Sequence, residues 1–214
     1  SWISKLANID YMFTVAKQGY NVMHIATHFV NMIKVSEAIV VRKHAGDCLI
    51  ELAGTMPGDQ INELCIDLFN GLELSDYQFL KFIPGYLGQL MMYQPDNEQT
   101  ETIDALEILL NTGSSKSAAV SLNTMGVLLE NFDRMPKPSK NAEKHKKKLL
   151  GMIVKSISHY NTTISQEALR VLGIRIFGST VMNLESKSWV ASHCFKRLVA
   201  MIPLIGDDLG LEFY

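Results

Sequence analysis

Apolar residues recur along this chain three or four positions apart, the spacing of one helix face, and no stretch alternates apolar and polar positions long enough to predict a strand. Breakers divide the pattern into about ten apolar segments of roughly fifteen to twenty residues. They fall near residues 2–18, 20–34, 37–54, 58–73, 76–93, 99–112, 115–133, 142–160, 164–181 and 186–202. Ser36, Ser75 and Ser114–Ser115 precede three of them, and a hydroxyl at a helix start accepts bonds from N–H groups that have no other partner. Gly54, Gly71 and Gly113 stand at helix ends, where a left-handed residue is favoured. Pro57, Pro95 and Pro136 follow helices that cannot continue through them. The expectation is an all-α chain of about ten helices.

An internal repeat is the most informative feature of that pattern. Ser36, Ser75 and Ser114 lie 39 residues apart, and the helix after each carries a small residue in mid-run. The first runs from Val40 to Leu52 around Gly46, and the second from Phe79 to Leu90 with Gly85 and Gly88 both qualifying. The third runs from Val120 to Glu130 around Gly126, and a fourth, after an insertion, from Glu167 to Phe177 around Gly173. A glycine inside a helix costs about 1 kcal/mol relative to alanine. Matching glycines therefore predict helix crossings with no room for a side chain.

This period resembles HEAT and armadillo repeats over most of residues 19–181, and the segment from Val41 to Ala53 is similar to a HEAT second helix. Pro84 and Glu167 depart from the pattern. The resemblance implies an α-α superhelix of stacked antiparallel hairpins, in which each hairpin buries its apolar face only against its neighbours. On this reading residues 1–214 form one solenoid domain. Two phrases, residues 33–37 and 77–88, also resemble helical regions of large bacterial proteins that carry a nucleotidyltransferase-related catalytic domain. That domain's phosphate-binding histidine motifs are missing from the sequence, so no activity follows from the likeness.

Composition narrows the class without naming a function. The chain has 214 residues, 47% hydrophobic and 20% charged, which excludes disordered and collagen-like chains. A net charge of −2 argues against a surface coated all over in nucleic acid. Cys48, Cys65 and Cys194 match neither a zinc motif nor a disulfide framework, and free thiols in apolar helices suit a reducing compartment, so a cytoplasmic protein is expected. The uncharged stretch from Gln18 to Ile33 is too short and too polar to span a bilayer. Lys5, Asp10 and Lys17 break up any signal peptide. Ser1 at the start and the abrupt Leu211–Tyr214 end suggest a piece of a longer polypeptide.

Motifs that carry chemistry are scarce. His24 and His28 share a helix face, but Ile25 stands where a zinc protease has its glutamate. His44, His145, His159 and His193 show no partner at ligand spacing, and adjacent helix residues such as His193 and Cys194 point about 100° apart. Nucleophile elbows, P-loops and dinucleotide fingerprints are missing from the sequence. The sequence therefore predicts no catalytic, cofactor or metal site.

Charge is uneven. Residues 134–148 hold Arg134, Lys137, Lys140, Lys144, Lys146, Lys147 and Lys148 against the single acid Glu143. Pro136 and Pro138 make the first part an extended linker, and residues 142–148 begin the next helix. The segment is expected at the surface and dispensable for folding, because so many lysines resist burial. It either contacts phosphates or an acidic partner, or keeps an insertion solvated. Arg42, Lys43 and Lys81 are further basic residues that could extend such a surface. Asp96, Glu98, Glu101, Asp104 and Glu107 are expected to decorate a helix start, where negative charge is favoured. Eleven methionines are expected to fill gaps between hairpins. The leading functional expectation is a non-enzymatic scaffold presenting a helical surface to a protein partner or a neighbouring domain. An accessory domain of a larger enzyme and nucleic-acid contact through residues 134–148 are the alternatives.

Overall fold

A computed structural model of the chain describes residues 1–73, 81–134 and 140–201, and among them every regular element is helical, without a strand. The α-helices are α1 (Trp2–Lys17), α2 (Val22–Val35), α3 (Ile39–Ala53), α4 (Gly58–Asn70), α5 (Ile83–Leu90), α6 (Asp96–Thr112), α7 (Ser115–Arg134), α8 (Ala142–Ser156), α9 (Thr162–Val171) and α10 (Leu184–Met201). No helix among the described residues is long and apolar enough to cross a membrane. The chain divides into two compact units, Ser1–Leu106 and Glu107–Tyr214, and the division falls within α6.

Local chemistry explains most helix ends. Ser1, Ser114, Asn161 and Asn183 each accept a backbone N–H in the first turn of α1, α7, α9 and α10. Pro57 caps α4, and Asp96 and Glu98 occupy the first turn of α6. Ser36 does not open α3 as expected. It ends α2 in an extended conformation, is buried, and its carbonyl accepts the Nε–H of Arg42. Arg42 is itself buried and so cannot join a basic surface. Gly54, Gly71 and Gly113 do not supply left-handed ends either, since none has a positive φ. Among the described residues the left-handed positions are Gly19 at φ +90° and Asn21 at φ +50°, which turn the chain from α1 into α2. Ser75 lies outside the described residues, and the helix expected over residues 76–93 runs, in its described part, from Ile83. Pro84 therefore sits in a first turn, where its missing N–H is harmless.

In the first unit α1 packs on α2 and α3, α2 on α3 and α4, and α5 on α3 and α4. Phe29, Ile33, Leu49, Leu52, Leu64 and Leu87 are among the side chains buried there. Gly46 marks the meeting of α3 with α5, because a Cβ on it would lie 2.1 Å from Tyr86 Cζ. The Tyr86 hydroxyl donates to the Lys43 carbonyl at 2.9 Å and lies 3.1 Å from the Asp47 carboxylate. His44, without a partner in the sequence pattern, meets Asp10 of α1 at 2.6 Å.

In the second unit α7 packs on α8 and α9, α8 on α9, and α10 on α8. Gly126 is the close crossing here, since a Cβ would lie 2.8 Å from Val171 Cγ1. Polar pairs flank it, Asn123 with Glu167 on one side and Glu130 with Arg175 on the other. Glu167, a departure from the repeat pattern, is thus engaged in the seam. Gly173 does not mark a crossing: nothing lies within 4 Å of a Cβ built there. It belongs to a π-helical turn, Leu172–Phe177, closed by the Gly178 N–H donating to the Gly173 carbonyl at 2.8 Å.

Candidate functional site

The basic segment is divided by helix phase rather than held together as a loop. Arg134 is the last residue of α7 and is exposed; Lys137, with Pro136 and Pro138, lies outside the described residues. Lys140 is exposed in the turn before α8, and Lys144 and Lys147 are exposed on α8. Lys148 is half-buried and pairs with Glu107 at 2.8 Å.

Lys146 contradicts the expectation that these lysines stay out of the core. Its side chain is 7% exposed, and its Nζ lies 2.6 Å from the Asp133 carboxylate, which is 2% exposed. A second bond runs to Glu143 at 3.2 Å. Burial pulls the Lys146 pKa down, and the hydrogen bonds to Asp133 and Glu143 overcome it, leaving the value above the ordinary lysine range. Asp133 also accepts the Asn183 backbone N–H at 2.8 Å and its amide at 3.3 Å. Because Asn183 caps α10, one carboxylate joins the end of α7, the first turns of α8 and the start of α10. His145 is buried beside Phe132. Two of the six described basic residues, Lys146 and Lys148, are therefore engaged in the structure, which no count of charges along the sequence could show.

Sequence reasoning missed the cluster beyond these lysines. Past Lys155, exposed on α8, the Ser158 hydroxyl accepts the Arg197 guanidinium at 2.8 Å. The rings of His159 and Tyr160 stack with centroids 4.5 Å apart, and Tyr160 is 93% exposed. His159 Nδ1 accepts the Asn161 N–H at 3.0 Å, so its proton sits on Nε2. Arg197 lies 39 residues from Ser158, too far along the chain for a spacing argument to unite them.

Elsewhere the geometry offers little chemistry. In the first unit a groove of about 200 Å³ runs between α4 and α6, lined by Cys65, Ile66, Phe69 and Ala105 with Glu98 and Glu101 at its rim. Burial pushes the Cys65 thiol far above its ordinary value, the wrong direction for a nucleophile. Burial and the nearby acids Asp10, Glu51 and Asp47 push Cys48 up to about 11, and burial raises Cys194 as well. His24 and His28 are exposed, and His193 stacks on Trp189 at 3.8 Å. Among the described residues no three metal-ligating side chains come together. Compared with family models, with curated proteins and with solved structures, the chain matches none of them.

Proposed function

We propose that this chain is a non-enzymatic helical-repeat scaffold, HEAT- or armadillo-like, whose work is to bind a protein partner. The observation that carries the reading is the order of packing in the first unit. Helices α1, α3 and α5 touch in succession, as do α2 and α4, so contacts run between neighbours in two rows. Such rows are what stacked hairpins produce, and stacked hairpins offer extended faces for binding. Gly46 and Gly126, each at a close crossing, support a common hairpin geometry.

The binding face is the outer side of α1. Only Ile9 and Ala16 of α1 are buried, while Ile3 and Tyr11, turned away from them by helix phase, are exposed, Tyr11 to 72%. Exposed aromatic anchors of this kind suit a partner that brings an apolar helical surface of its own. The test places a photocrosslinking amino acid at Tyr11 in the source cells, identifies the adduct, and reconstitutes the complex from purified chains. The expected result is a stoichiometric complex that I3E/Y11E weakens at least a hundred-fold without lowering the melting temperature. No adduct, or a complex indifferent to the double variant, overturns the reading.

A further inference from the structure

We infer that the exposed face of α8, continued by Arg197 and Tyr160, binds single-stranded nucleic acid. This rests on second-unit residues alone and stands or falls apart from the α1 reading. Three cations lie along one helix face, and a fourth stands at its end. Lys144, Lys147 and Lys155 project from the solvent side of α8, spanning about 16 Å at the ordinary helical rise. Arg197 is held beside the end of α8 by its bond to Ser158 just past the helix. Three acids around α8 are engaged: Asp133 and Glu143 by Lys146, and Glu107 by Lys148. The buried and half-buried lysines thus neutralise these three carboxylates, and the exposed lysines offer their charge to a ligand.

Gly151 is the second observation. It lies inside α8 on this same face, between Lys147 and Lys155, with nothing within 4 Å of a Cβ. Packing does not explain it, and a mid-helix glycine is unfavourable. What it does is leave bare helix backbone in the middle of the lysine row, where a phosphodiester chain can lie close.

Tyr160 is the third. One face of its ring rests on His159 and the rest stands in water. A cationic track ending in an open aromatic face is the pairing that single strands require, phosphates on the charges and a base on the ring. A duplex keeps its bases stacked on each other and gains nothing from Tyr160. An anionic membrane has no base to offer it.

The test uses the full chain and fluorescence anisotropy with labelled oligo(dT) and oligo(U) of roughly 16 nucleotides. An annealed duplex of the same length and phosphatidylserine vesicles serve as comparisons. With four phosphate contacts the slope of log affinity against log salt is expected near about −2.8, a loss of about fifty-fold between about 50 and about 200 mM. K144Q/K147Q/K155Q should flatten the slope to about −0.7. Y160A should weaken binding about ten-fold and leave the slope alone. All four substituted side chains are exposed, so the melting temperature should hold. Tighter binding to duplex than to single strands overturns the inference, as do binding to vesicles alone, a slope unchanged in the triple variant, indifference to Y160A, and no saturable binding.

Discussion

Lys146→Met is the sharpest perturbation of the described structure, because it deletes one charge of a buried pair and little else. The Lys146 side chain is 7% exposed and its partner Asp133 is 2% exposed, 2.6 Å away. Methionine keeps most of the aliphatic stem, so the change is chiefly electrostatic. Removing one member of a buried pair costs about 3–5 kcal/mol, since the other charge is left without compensation. Asp133 would keep its two bonds from Asn183, which places the expected loss at the lower end, about 3 kcal/mol. For a chain of this length that is a fall in melting temperature of about 6–12 °C.

The assay is a double-mutant cycle by urea or thermal melts, with Asp133→Asn as the second change. If the pair is coupled as its geometry states, the double variant recovers most of the loss, because a neutral pair carries no stranded charge. The pH dependence supplies an independent sign. A lysine whose pKa is raised on folding contributes stability that is fully present below 10.5 and is lost as pH rises through the higher folded value. The parent should therefore lose its advantage over Lys146→Met only in strong alkali. A Lys146→Met melt within about 1 °C of the parent, or strictly additive effects in the cycle, would refute the reasoning.

Other positions make shorter predictions. Gly46→Ala should destabilise by about 1–3 kcal/mol in a urea melt, since the new methyl meets the Tyr86 ring; an unchanged midpoint would mean the crossing is loose. Gly151→Ala should do the reverse, raising stability by up to about 1 kcal/mol, because the site is helical and open. Cys48, Cys65 and Cys194, all buried and with raised thiol pKa values, should resist a thiol reagent at neutral pH until urea unfolds the chain. Rapid labelling of any one of them in the native protein would contradict the packing around it.

The sequence carried the helices well and their junctions poorly. Apolar periodicity located most of the segments within a few residues, the one expected over 76–93 being described only from Ile83, because burial at a spacing of three and four needs no knowledge of the partner helix. Caps were legible where side chain and backbone are close in sequence, as at Ser114. Ser36 failed as a helix start because Arg42 claims its carbonyl and the segment is buried. Glycine behaved in the same way. Gly46 and Gly126 face a neighbour, Gly173 faces none, and a period along the chain cannot tell these apart. The meeting of Arg197 with Ser158, or of Asp133 with Lys146 and Asn183, depends on how whole helices pack. Local spacing holds no signal for it.

Lys146, Lys147 and Lys148 make that limit measurable. As a run of identical residues they invite one reading, a solvated cluster. On a helix each is turned about 100° from the last, so three consecutive lysines enter three environments. Lys146 enters the core against Asp133, Lys148 reaches Glu107 at 2.8 Å with both groups partly exposed, and Lys147 stands in water. Exposed and half-exposed pairs are worth at most about 1 kcal/mol, since solvent screens them and two long side chains must be held still. Single replacements by glutamine should therefore rank in order of burial: Lys146 well below the parent in melting temperature, Lys148 slightly below, and Lys147 indistinguishable. In the oligonucleotide assay the order should invert, with Lys147 flattening the salt slope and Lys146 leaving it unchanged in the folded protein. Equal effects at all three positions in either assay would mean that α8 does not present these lysines at the phases described, and both the structural and the binding assignments would fall together.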